Sequence, residues 1–102
     1  MAQLSAEERV ACRSPNAPGG KGVRIPKWKY ELVRSAILAE LGEHEVPFAE
    51  LTKRVGARMS AAEAERLGSL GWHVTTVKLE LEVLGEIRRL SGSGRQMLEL
   101  SG

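Results

Sequence analysis

The sequence predicts a mainly α-helical domain closed by a small antiparallel β-sheet. Three observations carry this. Apolar residues recur at helical spacing in two long stretches, Tyr30–Leu41 and Val74–Leu84. Beyond Gly85 the pattern shortens to two strand-length segments around a Gly-Ser tract. Composition leans the same way: all thirteen acids are Glu and Asn16 is the only Asn, so helix formers replace turn formers. A chain of 102 residues suits one small domain plus a tail. Trp28, Tyr30, Phe48 and Trp72 are its only aromatics, so Leu, Val and Ile must form the core.

Each element has its own signals. Residues 13–22 (RSPNAPGGKG) hold two prolines and three glycines, which predicts a flexible linker. We therefore divide the chain into a flexible basic arm, residues 1–25, and a folded domain, residues 26–102. Pro26 suits a helix start, where its missing N–H costs nothing. The first helix is expected over Lys27–Leu41, with Tyr30, Val33, Ile37 and Leu41 inward and Gly42 as a left-handed stop. Val46-Pro47-Phe48 reads as a short extended piece, because proline disfavours helix before it. A second helix follows over Ala49–Val55, with Phe48, Leu51 and Val55 facing inward. Ser60 with Glu63 forms a capping box, so a short extra helix is expected over Ala61–Leu67 and ends at Gly68. The last helix, His73–Leu84, buries Val74, Val77, Leu81 and Leu84 and stops at Gly85. Glu86–Leu90 and Arg95–Leu100 are the strands of a closing hairpin turned by residues 91–94 (SGSG).

This order resembles the winged helix-turn-helix superfamily. Val46-Pro-Phe-Ala-Glu-Leu-Thr-Lys-Arg-Val55 is similar to the strand and second helix of that fold. Residues 77–89 (VKLELEVLGEIRR) are similar to its third helix running into the wing, with Leu-Glu-x-x-Gly-x-Ile at 81–87 as the join. The likeness covers about Lys27 to Leu100. One departure is the sixteen-residue connection between Val55 and Trp72, which contains the extra helix where three or four residues are usual. Residues 71–82, Gly-Trp-His-x-x-x-Val-Lys-Leu-Glu-Leu-Glu, also resemble a small uncharacterised bacterial family within that superfamily. The superfamily resemblance implies a scaffold for nucleic acid or for protein contacts.

Charge favours the first use in two places and opposes it in a third. Residues 1–30 carry six Lys and Arg against two Glu, whereas residues 31–102 carry nine against eleven. Arg13, Lys21 and Arg24 in the arm and Lys27 and Lys29 just after it, with Arg88, Arg89 and Arg95 in the expected wing, are the candidates to neutralise phosphates. On the last helix only Thr75 and Lys78 (with Thr76 and His73 as weaker donors) could read bases, while Glu80, Glu82 and Glu86 would repel phosphates. The expectation is weakly sequence-specific binding of double-stranded DNA through arm and wing. The alternative is a protein-interaction or dimerisation module. It rests on a second apolar strip opposite the core stripe: Trp72, Leu79 and Val83 on the last helix, and Trp28 and Leu32 on the first. That strip needs a cover, either residues 1–25 or a second copy of the chain in a homodimer.

Enzymatic readings fail on inventory. His44 and His73 are the only histidines, there is no Asp, and no Cys or His pair has metal-ligand spacing. The Gly-Gly-Lys-Gly run at 19–22 lacks the length and following hydroxyl of a phosphate loop. No catalytic residue, metal or cofactor is expected. With one cysteine, Cys12, no signal-peptide pattern and only short apolar runs, the sequence predicts a cytoplasmic protein away from membranes.

Overall fold

The computed structural model of the protein describes residues 8–17, 19–20, 22–90 and 96–101. Among these residues nine elements follow one another: β1 (Arg9–Cys12), β2 (Val23–Pro26), α1 (Lys27–Glu43), β3 (Val46–Pro47), α2 (Phe48–Ala57), α3 (Ala61–Leu67), α4 (Leu70–Leu84), β4 (Ile87–Leu90) and β5 (Met97–Leu100). They form two antiparallel sheets, β1-β2 and β3-β5-β4. The mainly helical class with a small sheet therefore holds, and from β3 onward the element order is the expected one. The N-terminal sheet is additional.

That sheet corrects the expectation of a flexible arm. Arg9–Cys12 and Val23–Pro26 pair in register, with Val10 opposite Ile25 and Cys12 opposite Val23. Cys12 and Ile25 are buried in the same core as α1 and α4, with Val10 packed against it. The prolines and glycines at 13–22, read as a linker, connect two strands instead. Gly22 is indispensable there: its φ is +74°, and a Cβ would lie 2.5 Å from the Cys12 carbonyl oxygen. The folded unit thus begins no later than Arg9, and residues 1–7 lie outside the description.

The helices form for the expected reasons, with shifted ends. α1 buries Tyr30, Val33, Ile37 and Leu41. It does not stop at Gly42. It continues to Glu43 and ends at His44, whose backbone is extended. The reason is an ion pair: Arg58 binds both Glu40 (2.5 Å) and Glu43 (2.9 Å), one turn apart, and holds the final turn helical. α2 likewise runs through Gly56 to Ala57. A Cβ on Gly56 would stand 2.7 Å from Leu70 Cδ2, so the glycine admits the start of α4. α3 has both capping-box bonds, Glu63 N–H to Ser60 Oγ (3.1 Å) and Ser60 N–H to Glu63 Oε1 (2.9 Å).

α4 starts three residues before the expected His73. Gly68 takes a left-handed φ of +90°, and the Ser69 side chain then caps the new helix. Its far end closes as foreseen. Gly85 sits at φ +78°, and the N–H groups of Gly85 and Glu86 donate to the carbonyls of Glu82 and Leu81. Val74, Val77 and Leu81 are fully buried. Leu84, the expected fourth member of the stripe, is instead 47 % exposed, because the chain turns away at Gly85 immediately after it. β3 then joins Val46 to Leu98, and β4–β5 set Ile87, Arg88, Arg89 and Leu90 opposite Leu100, Glu99, Leu98 and Met97.

Candidate nucleic-acid interface

Helix α4 is enclosed on three sides, and this decides which charges can meet a polyanion. Its inner side carries Val74, Val77 and Leu81. The N-terminal hairpin closes a second side through Arg13 and Glu80. The Arg13 backbone N–H donates to Glu80 Oε1 at 2.7 Å, Nε to the same oxygen at 3.0 Å and Nη2 to Oε2 at 2.6 Å. Burial tends to raise the Glu80 pKa, but the side-chain and backbone hydrogen bonds from Arg13, and its charge, outweigh burial and leave it below the usual carboxylate range. Arg13, expected to bind phosphate, is therefore corrected to an internal anchor. Glu80, expected to repel phosphate, is buried beneath it.

The C-terminal hairpin closes the third side. The Lys78 side chain is only 4 % exposed; its Nζ lies 2.6 Å from Glu82 Oε2, 3.3 Å from Gln96 Oε1 and 4.5 Å from the Phe48 ring centroid. Lys78 cannot reach a base, which corrects its assignment: its stem and ammonium fill the seam between α4, α2 and β5. Of the assigned α4 readers only Thr75 faces solvent. The arginines of the C-terminal hairpin are partly committed too. Arg88 is ion-paired with Glu99 across the strand pair, and Arg89 Nε lies 3.4 Å from Glu82 Oε1. Lys21 and Arg95 lie outside the described residues.

What remains for a polyanion sits on the outer face of the N-terminal hairpin and beside it. Val10, Cys12 and Ile25 turn toward the body, Val23 shares their face but is 47 % exposed, and Arg9 and Arg24 lie on the opposite face. They form a diagonal pair on that face, Arg9 opposite Pro26 and Arg24 opposite Ala11. Both are exposed and neither makes an ion pair with another described residue. Lys27 makes a loose, exposed pair with Glu8 at 3.5 Å. Lys29 Nζ donates to the Leu67 carbonyl at 3.1 Å. Arg66, at the end of α3, lies over Trp28 with its guanidinium carbon 4.5 Å from the ring centroid. Arg9 and Arg66 were missed from sequence. The alternation of residues 9–12 was the available signal for Arg9; nothing local marks Arg66, which is brought to Trp28 only by the packing of α3.

The expected interface strip is divided. Leu79 and Thr76 line a cleft of about 210 Å³ beneath the hairpin, shared with Cys12 and Val23. So residues of the N-terminal hairpin cover part of the strip, the intramolecular option of the two. Trp28, Leu32 and Val83 are half-buried, and Trp72 stays 46 % exposed, edge-on to His73 at 4.9 Å. The Cys12 thiol is pushed up to about 11 by burial and then by the Glu80 charge, so it is a protonated core group at neutral pH. Among the described residues, no cluster of three or more His, Cys, Asp or Glu is arranged to hold a metal ion, and no helix is long and apolar enough to cross a membrane.

Comparison with curated proteins and with solved structures returns no match. The chain does match a family of unknown function, DUF6958, over residues 9–98, a span that runs from β1 through the four described helices and β4 into the first half of β5, and it belongs to that family.

Proposed function

We propose that this protein is a cytoplasmic, non-enzymatic nucleic-acid-binding domain of winged helix-turn-helix type that grips phosphates without reading sequence. The observation that carries the reading is the segregation of charge. Glu80, Glu82 and Glu99 are tied to Arg13, Lys78 and Arg88, while Arg9 and Arg24 point outward from the N-terminal hairpin with no carboxylate opposite. Acids that would repel a polyanion are thereby neutralised, and a basic face is left. The burial of Lys78 and His73 on α4 argues against major-groove readout, since of the assigned readers only Thr75 keeps an exposed side chain.

A titration of fluorescent random-sequence DNA at low and moderate salt tests the reading. Binding at low salt that weakens steeply as salt rises is expected; no binding at low salt, or binding indifferent to salt, overturns it. A second reading, a protein-interaction or homodimerisation surface, is favoured by the 46 % exposure of Trp72. It requires that Trp72→Ala abolish self-association or partner capture with the helical spectrum intact.

A further inference from the structure

We infer that the nucleic acid this domain takes is single-stranded, with one base stacked on Trp28; the inference rests on the phosphate-binding reading above. Trp28 lies in the first turn of α1, directly after β2, only four residues beyond Arg24. It is half-buried, and cations surround it. The Arg66 guanidinium carbon stands 4.5 Å from the indole centroid, and Lys29 Nζ stands 5.6 Å away. Lys29 also holds the Leu67 carbonyl at 3.1 Å, which fixes the end of α3 beside the indole. Indole and guanidinium are thus two walls of a closed slot.

Both walls are surfaces on which bases stack, and an exposed cation on an indole is a weaker contact than a base on an indole. A base entering the slot replaces the contact between Trp28 and Arg66 with two stacking contacts, while Arg9, Arg24 and Lys27 meet the backbone. Arg66 is exposed, so it can swing aside to admit the base. A duplex keeps its bases stacked on each other and offers none to the slot. On α4, the helix that resembles a groove reader, Lys78 and His73 are buried and only Thr75 of the assigned readers is exposed. Trp72 differs from Trp28: among the described residues no cation lies over its ring.

The test uses the full chain carrying Trp72→Phe, so that Trp28 is the only indole. Its emission and the anisotropy of a labelled probe are followed with oligo(dT), oligo(rU) and a random duplex, each about 12 nucleotides long, within the usual site size for one domain. Both single strands should quench Trp28 and bind about tenfold more tightly than the duplex; the DNA and RNA arms separate the two sources of single strand. In that background Trp28→Ala and Arg66→Ala should each weaken single-strand binding several-fold and leave the salt slope and duplex affinity unchanged. Because Arg66 is exposed, its variant tests the slot even if Trp28→Ala fails to fold. Single-strand binding without quenching, or unchanged by Arg66→Ala, overturns the stacking inference and leaves the phosphate reading standing. No binding of any probe at low salt overturns both.

Discussion

The two β-hairpins of this protein are built alike, yet they dispose of their arginines in opposite ways. In the C-terminal hairpin, Arg88 faces Glu99 across the strand pair, and Arg89 reaches back to Glu82 on α4. In the N-terminal hairpin, Arg9 faces Pro26 and Arg24 faces Ala11, so neither finds a carboxylate opposite. Only Arg13, one residue past the end of β1, turns inward to a buried acid. Strand register and the helix beneath each hairpin, not the number of arginines, decide which charges brace the fold and which are left for a partner.

The strongest way to break this comparison is to ask whether the N-terminal hairpin is part of the fold at all. Ile25 on β2 is 2 % exposed and Ile87 on β4 is 1 % exposed. If both hairpins are structural, Ile25→Ala and Ile87→Ala should each cost about 2–5 kcal/mol in urea denaturation. A near-zero cost at Ile25 alone would return residues 9–26 to the status of a loose arm.

Next come the two outward arginines. Each of Arg9→Glu and Arg24→Glu should lower the slope of log affinity against log salt by about one unit for nucleic acid, and the double variant by about two. Arg88→Gln, by contrast, should leave the slope nearly unchanged, because its charge is already engaged by Glu99. Equal losses at Arg24 and Arg88 would erase the distinction between the hairpins.

Much of this architecture was legible in the sequence because its signals were local. Ser60 and Glu63 announce α3, Gly85 ends α4, and the helical spacing of Val74, Val77 and Leu81 identifies the buried stripe. What was not legible depended on pairing over distance. Residues 13–22 look like a linker until Cys12 is seen opposite Val23. Glu80 and Lys78 look like solvated charges, but each is neutralised by a partner: Arg13, sixty-seven residues away, and Glu82, one turn along the same helix. An i,i+4 Lys–Glu pair is ordinarily a surface feature worth little, and nothing local marks this one as buried beside the C-terminal hairpin. The candidate site was legible as a basic N-terminus, but which of its cations stay available was not.

The anchor of the N-terminal hairpin gives a pH signature that the other hairpin lacks. Arg13 holds the folded-state pKa of Glu80 below its ordinary value of 4.5. A depressed carboxylate contributes stability that is complete above its unfolded pKa and is lost as pH falls through the folded one. Wild-type protein and Glu80→Gln should therefore differ most near neutrality and converge as pH drops below about 4.5. Hydrogen exchange should place the loss in β1 and β2, because Arg13 is the polar tie between hairpin and α4.

The smallest effect expected is at the C-terminal hairpin. The pair between Arg88 and Glu99 is exposed on the arginine side, with 61 % of the Arg88 side chain open to solvent. Water and salt screen such a pair, and two long side chains lose rotamer freedom in making it. Glu99→Gln should thus cost only about 0.2–1 kcal/mol and less as salt is raised. It should also free Arg88. If register is what withholds this arginine from a polyanion, Glu99→Gln will steepen the salt slope of nucleic-acid binding by about one unit even as it slightly weakens the fold. An unchanged slope would mean that the C-terminal hairpin lies away from the bound strand, and that the N-terminal hairpin alone carries the contact.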